Sequence, residues 1–157
     1  MAIPSSILGP AVGAFISGLI GVATVEYRNY RDEVAEIERW YEQAIRLAEQ
    51  VERETPDSYL NEINGVGEAN ETGRTANDMA AAYGRIGERL RDHVNRAPPQ
   101  ITESVLGPAT ETARYCQIID REEGITDNFM NLIEDAVNSA GTLQEEAKNG
   151  KNDVGLF

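Results

Sequence analysis

The chain has one cysteine, one histidine and 6% aromatic residues in 157. A single Cys excludes an internal disulfide framework and a cysteine-based zinc cluster. A single His excludes the paired Glu-x-x-His motifs of a di-iron bundle and the His-Glu-x-x-His helix of a metalloprotease. No metal and no cofactor is therefore expected. Positive charge is also scarce, with 14 Lys plus Arg against 27 Asp plus Glu and a formal net charge of −13. Repulsion of that sign opposes sequence-independent binding to nucleic-acid phosphate, which depends on Lys and Arg displacing counterions. Nothing alternates with period two for long enough to demand a strand. What remains is an acidic chain of a length suited to one modest core.

Only Lys148 and Lys151 are lysines, and every other basic residue is Arg. A carboxylate-rich surface stays soluble at high salt, where the Debye length falls to about 3 Å, so the composition reads as adaptation to salt. An ordinary acidic protein of a GC-rich genome, in which Arg codons displace Lys codons, is the alternative.

The first 25 residues carry no charged side chain, and within them Ile7 to Val25 forms an apolar run. With Ser6 as N-cap, Pro10 falls at the fourth helical position, where its missing N–H has no intrahelical partner to lose. A helix over that run spans about 28 Å, close to the roughly 30 Å hydrocarbon core of a bilayer. Residues 1–26 are therefore expected to be a membrane anchor. Tyr27, Arg28, Tyr30 and Arg31 follow as an aromatic and cationic collar at the membrane interface. With no Lys or Arg before the run and two directly after it, the positive-inside rule puts the N-terminus outside and the body in the cytoplasm of a single-pass protein. The lack of a basic leading region separates this segment from a cleaved secretory signal. Gly9, Gly13, Ser17 and Gly21 recur every fourth residue, a small-residue face of the kind that lets membrane helices associate. The alternative for the whole segment is a helix packed against protein in an oligomer.

The body, 27–149, reads as an antiparallel helical bundle, with helices at about 27–54, 75–97, 99–122 and 126–149 and a flexible tail over 150–157. Tyr27, Tyr30, Val34, Ile37, Tyr41, Ala44, Ala48 and Val51 follow the alternating three-four spacing of a coiled-coil seam. That seam extends back through Ile20 and Ile16, so anchor and first body helix are expected to be continuous. Residues 55–74 form an irregular stretch with one short helix around Tyr59, Leu60 and Ile63. Thr75 opens a helix burying Met79, Tyr83, Ile86, Leu90 and Val94, in which Gly84 and Gly87 permit close packing. After Pro98-Pro99 comes a helix with Ile101, Val105, Ala109, Ala113, Cys116 and Ile119, expected to kink or divide at Gly107-Pro108. Thr126 caps the last, which buries Phe129, Leu132, Ala136, Ala140, Leu143 and Ala147.

Few residues suggest chemistry. His93 beside Asp92 has the composition of a base with an orienting carboxylate. Neighbouring helical residues nevertheless point about 100° apart, and an exposed or interfacial His is the plainer reading. Cys116 sits on an apolar face, where a thiol acts as a small hydrophobe. Residues 67–75, GEANETGRT, have the wrong glycine spacing and Arg74 in place of the Lys of a phosphate loop. Asn70-Glu71-Thr72 is a glycosylation sequon that matters only if the body lies outside the cell. Residues 75–97 alone in the body are net positive, by one charge. Their arginines either pair with acidic neighbouring helices or present Arg85, Arg89 and Arg96 as a docking face for an acidic partner or anionic headgroups.

Over residues 7–54, about a third of the chain, the junction GLIGVATVEYRNYRDEVAEIERWYEQAIRLAEQVERE resembles a group of uncharacterised, N-terminally membrane-anchored helical proteins of halophilic archaea. In that pattern a membrane helix runs through a YRN-like basic turn into a WY-containing charged helix. The resemblance implies location and build and supplies no catalytic residues. Composition and motifs together lead to an all-α protein that is not an enzyme. The expected role is a single-pass membrane-anchored scaffold, adaptor or regulatory interaction protein, partnered by the membrane and by its own copies or another helical protein. The alternative is a structural subunit of a membrane-containing particle or large assembly, with the apolar helix packed against protein.

Overall fold

A computed structural model describes residues 5–55, 76–122 and 127–154, with side chains described over 25–55, 78–122 and 128–154. Its elements are four helices, α1 (Ser5–Glu54), α2 (Ala76–Asn95), α3 (Glu103–Ile119) and α4 (Asp127–Val154). The expected short helix near Tyr59, the 67–75 segment, the sequon and the caps Thr75 and Thr126 lie outside the described residues. The chain divides into two compact units, Met1–Glu36 and Ile37–Phe157.

In the first unit, α1 is continuous from Ser5, but its side chains are described only from Val25 onward. From there to Glu33 every residue is exposed. Among the described residues no helix is long and apolar enough to cross a membrane. The side chains of the expected anchor, through Thr24, lie outside the described residues.

The second unit holds a core, and among the described residues every buried member of it falls between Ile37 and Ala147. The α1 seam therefore becomes a buried stripe only at Ile37, not at Tyr27 as its spacing predicts, because periodicity gives the direction of a face and not whether anything covers it. From Ile37 the stripe continues through Tyr41, Ala44, Ala48 and Val51, all buried. Opposing it are Met79, Tyr83, Ile86 and Leu90 of α2, Val105, Ala109, Ala113 and Cys116 of α3, and Phe129, Ile133, Ala136, Ala140 and Leu143 of α4. Each large aliphatic side chain among these contributes about 1.5–3 kcal/mol by leaving water. In α4 the fully buried position is Ile133, whereas the expected Leu132 is half-buried.

The helices run antiparallel in sequence order. Along α1, Trp40 meets His93, Gln50 meets Arg89 and Thr55 meets Tyr83, so α2 descends as α1 rises. Helices α2 and α3 approach closely at Gly87, where an added Cβ would stand 3.0 Å from the Ala113 carbonyl oxygen and 3.0 Å from the Cys116 Cβ. Helix α3 contains Pro108 and is not divided there. The proline removes one N–H, while buried Val105, Ala109 and Thr112 hold the helix against the core on either side. The Thr112 and Ser139 hydroxyls both donate to the Pro108 carbonyl, at 2.8 and 3.2 Å, and so tie α3 to α4.

Two boundaries differ from expectation. Helix α3 starts at Glu103 rather than 99, because residues 98–101 close a turn in which Ile101 N–H donates to the Pro98 carbonyl at 3.0 Å. Helix α4 continues to Val154, so residues 150–154 are helix and not loose tail. Gly150 reads as a stop in sequence but lies against the Tyr41 ring, where a Cβ would stand 2.6 Å from Tyr41 Cζ. The next residue, Lys151, pairs with Glu42 at 2.8 Å, and Val154 packs against the core.

Candidate functional site

The collar residues all lie on the described part of α1 in the first unit. Val25 is 59%, Tyr27 64% and Tyr30 44% exposed, well above what large apolar side chains retain in a core. Arg28 and Arg31 are exposed beside them. Tyr27, Arg28, Arg31, Asp32 and Ala35 line an open groove of about 490 Å³. The stretch thus presents exposed aromatic rings and guanidinium groups together. Gly9, Gly13, Ser17 and Gly21 lie on the α1 backbone, but their surroundings lie outside the described residues.

The second unit carries a basic groove that segment-by-segment charge counting does not reveal. Arg39, Gln43, Arg46 and Gln50 follow one another at four-three-four spacing along α1, which brings them onto one helical face. Together with Arg89 of α2 and Glu42 they line a groove of about 380 Å³. Arg89 Nη1 donates to Gln50 Oε1 at 3.0 Å, orienting that guanidinium toward α1. Among the described residues Glu42 is the one acid lining this groove, and it is already engaged by Lys151 at 2.8 Å. Its carboxyl is held below the usual value by that hydrogen bond and charge, with Arg46 adding to the effect. The groove therefore presents three guanidinium groups on a protein whose total charge is −13.

Of the expected docking residues, only Arg89 lines the groove, and Arg85 and Arg96 are exposed elsewhere on the surface. Among the described residues, none of Arg85, Arg89, Arg91 or Arg96 forms an ion pair with another described side chain. Arg39 and Arg46 were hidden in sequence because residues 26–54 sum to −4. Their shared face was legible in their spacing.

His93 and Cys116, singled out in the sequence for their chemistry, are both enclosed by the fold. The His93 ring stacks on Trp40 with centroids 4.5 Å apart and planes 13° from parallel. His93 Nε2 donates to the Trp40 carbonyl at 2.9 Å, and Trp40 Nε1 donates to the His93 carbonyl at 3.1 Å. Because a carbonyl only accepts, the neutral imidazole carries its proton on Nε2. Burial pushes the His93 pKa down, partly offset by this hydrogen bond. Asp92 is exposed and takes no part in the arrangement. Cys116 is fully buried, and desolvation pushes its thiol up to about 12, far from a reactive thiolate. Tyr83 donates to Thr55 Oγ1, which in turn donates to the Val51 carbonyl at 3.0 Å. Burial raises the phenol further above its ordinary value. Among the described residues no group of three or more His, Cys, Asp or Glu side chains is placed to hold a metal ion. No family model, curated protein or solved structure matches the chain.

Proposed function

We propose that the chain is a single-pass membrane-anchored helical scaffold or adaptor, with its N-terminus outside and a non-catalytic interaction body in the cytoplasm. The observation that carries this reading is the exposed collar. Val25, Tyr27 and Tyr30 face solvent within their unit beside Arg28 and Arg31, immediately after 25 residues without charge. Aromatic rings with polar edges and snorkelling cations favour a membrane interface, and cations retained on one side favour the cytoplasmic face. An interaction role is favoured by an arginine-lined groove on an acidic body. The reciprocal Trp40–His93 bonds and the buried Cys116 take up the groups on which nucleophilic or acid–base chemistry would draw.

Carbonate extraction of native membranes tests the anchor. The full chain should stay with the membrane, and a variant lacking residues 1–25 should be released. Full-length protein that is soluble without detergent as a defined oligomer would overturn the anchor and favour the particle or assembly subunit. Replacing Gly13 and Ser17 by Ile should reduce crosslinked dimers in membranes if the small-residue face mediates self-association. Unchanged dimer yield removes that face from the account.

A further inference from the structure

We propose that the groove between α1 and α2 receives a carboxylate-bearing helical segment of a partner protein, with Arg39, Arg46 and Arg89 taking its acid groups. The proposal rests on the interaction-module reading and specifies the partner by its chemistry. Three features of the groove support it. First, its charge is only partly compensated from within, since three guanidinium groups face one acid, Glu42, which is shared between Lys151 and Arg46, and Arg89 is held by a neutral amide. Guanidinium groups bind carboxylates in bidentate fashion, so an acidic ligand satisfies what the fold leaves open.

Second, the spacing suits a helix. Arg39 and Arg46 are seven residues apart, about 10 Å along the α1 axis at 1.5 Å per residue. A packed helix carrying acids at i and i+7 repeats that distance, whereas a free inorganic anion offers a single charge centre. Gln43 and Gln50 alternate with the arginines and supply amide donors and acceptors between the ion pairs. Third, the rest of the molecule selects against bulk polyanions. A surface with net charge −13 repels an extended polyanion such as nucleic acid more strongly than it repels a short acidic segment, so a short segment is favoured.

The test is titration calorimetry of the full chain, in detergent where extraction requires it, at about 0.15 M and about 1 M salt, where the Debye length falls from about 8 to about 3 Å. The probe is a synthetic helical peptide with Glu at i and i+7. The controls are the same peptide with Gln in place of Glu, inorganic phosphate, and vesicles containing anionic phospholipid. The Glu peptide should bind and the Gln peptide should not. Arg39→Glu and Arg46→Glu should each weaken binding by about tenfold or more. Both positions are exposed, and Arg39→Gln and Arg46→Gln with unchanged circular dichroism guard against misfolding, with smaller losses expected. Absence of binding, or binding unaffected by these changes, overturns the proposal. Phosphate that displaces the peptide at millimolar concentration reassigns the groove to small anions, and vesicle binding lost in Arg46→Glu reassigns it to lipid. A change of oligomeric state in Arg46→Glu reassigns it to a second copy of the chain. Failed peptide binding with partner crosslinks retained elsewhere on the body overturns the groove alone. Failed membrane retention with intact peptide binding overturns the anchor alone.

Discussion

Trp40 and His93 lie 53 residues apart in sequence, yet each donates its ring N–H to the other's backbone carbonyl while the rings stack. The His93 carbonyl belongs to the last turn of α2, where intrahelical donors run out; it accepts from Arg96 N–H at 3.2 Å and takes the indole N–H as a second donor. Burial is the largest influence on the imidazole and lowers its pKa in the folded state. The unfolded chain, with an ordinary His pKa near 6.5, then binds the proton more readily. The contribution to stability is complete above about pH 6.5 and declines as pH falls through the lowered folded value. Denaturant midpoints between pH 7.5 and 5.5 should therefore drop for the native chain, and the drop should be smaller in His93→Gln. Parallel pH profiles for the two proteins would remove His93 as its source. Nothing in the residues around His93 announces this pairing, and only the apolar stripe of α2, which ends at half-buried Val94, placed the ring near an interface.

Glycine separates local from tertiary requirements at the level of the helices. In a helix interior Gly is about 1 kcal/mol worse than Ala, so each one invites replacement unless a neighbour occupies the Cβ position. Outside their own stretch of helix, Gly107 in α3 and Gly141 in α4 have nothing within 4 Å of that position. Gly141→Ala should stabilise the protein by about 0.5–1 kcal/mol in urea denaturation, whereas at Gly107 a Cβ would meet the ring of the following Pro108 and cancel that gain. Gly87→Ala would press a methyl against the α3 backbone at Ala113 and against the Cys116 Cβ, both 3.0 Å away. Helix backbone yields little, so Gly87→Ala should destabilise by about 1–3 kcal/mol despite its better propensity. A stabilised Gly87→Ala variant would show that α2 and α3 can move apart freely. Close packing at Gly87 was legible in sequence because a costly residue stood on a packed helix. The continuation of α4 past Gly150 was not, since its reason is Tyr41 on another element.

At the level of the molecule, every buried core residue among the described ones comes from positions 37 to 147. A chain beginning at Ile37 should therefore keep a cooperative thermal transition and high helicity by circular dichroism. A non-cooperative melt would mean that residues before 37 complete the core. The −13 charge makes a second prediction. Mutual repulsion among carboxylates is screened as the Debye length shrinks from about 10 Å at 0.1 M to about 3 Å at 1 M salt. The thermal midpoint should rise over that range, and a falling midpoint would show that attractive pairs such as Glu42–Lys151 outweigh the repulsion.

Helix type and the inward stripes were set by the sequence alone, because three-four periodicity and terminator residues act within a few turns of chain. The stripe Met79, Tyr83, Ile86 and Leu90 needed no knowledge of its partners, and all four are buried. The uncharged leading segment and the acidic surface were likewise readable by counting. The tertiary structure decided where covering begins, at Ile37 rather than Tyr27, and where α4 ends. It also decided which arginines share a surface, for Arg89 joins Arg39 and Arg46 only because α2 packs antiparallel to α1. Lys151 neutralises Glu42 across 109 residues. Such outcomes depend on contacts between distant parts of the chain, whose geometry is fixed by packing and leaves no local periodic trace.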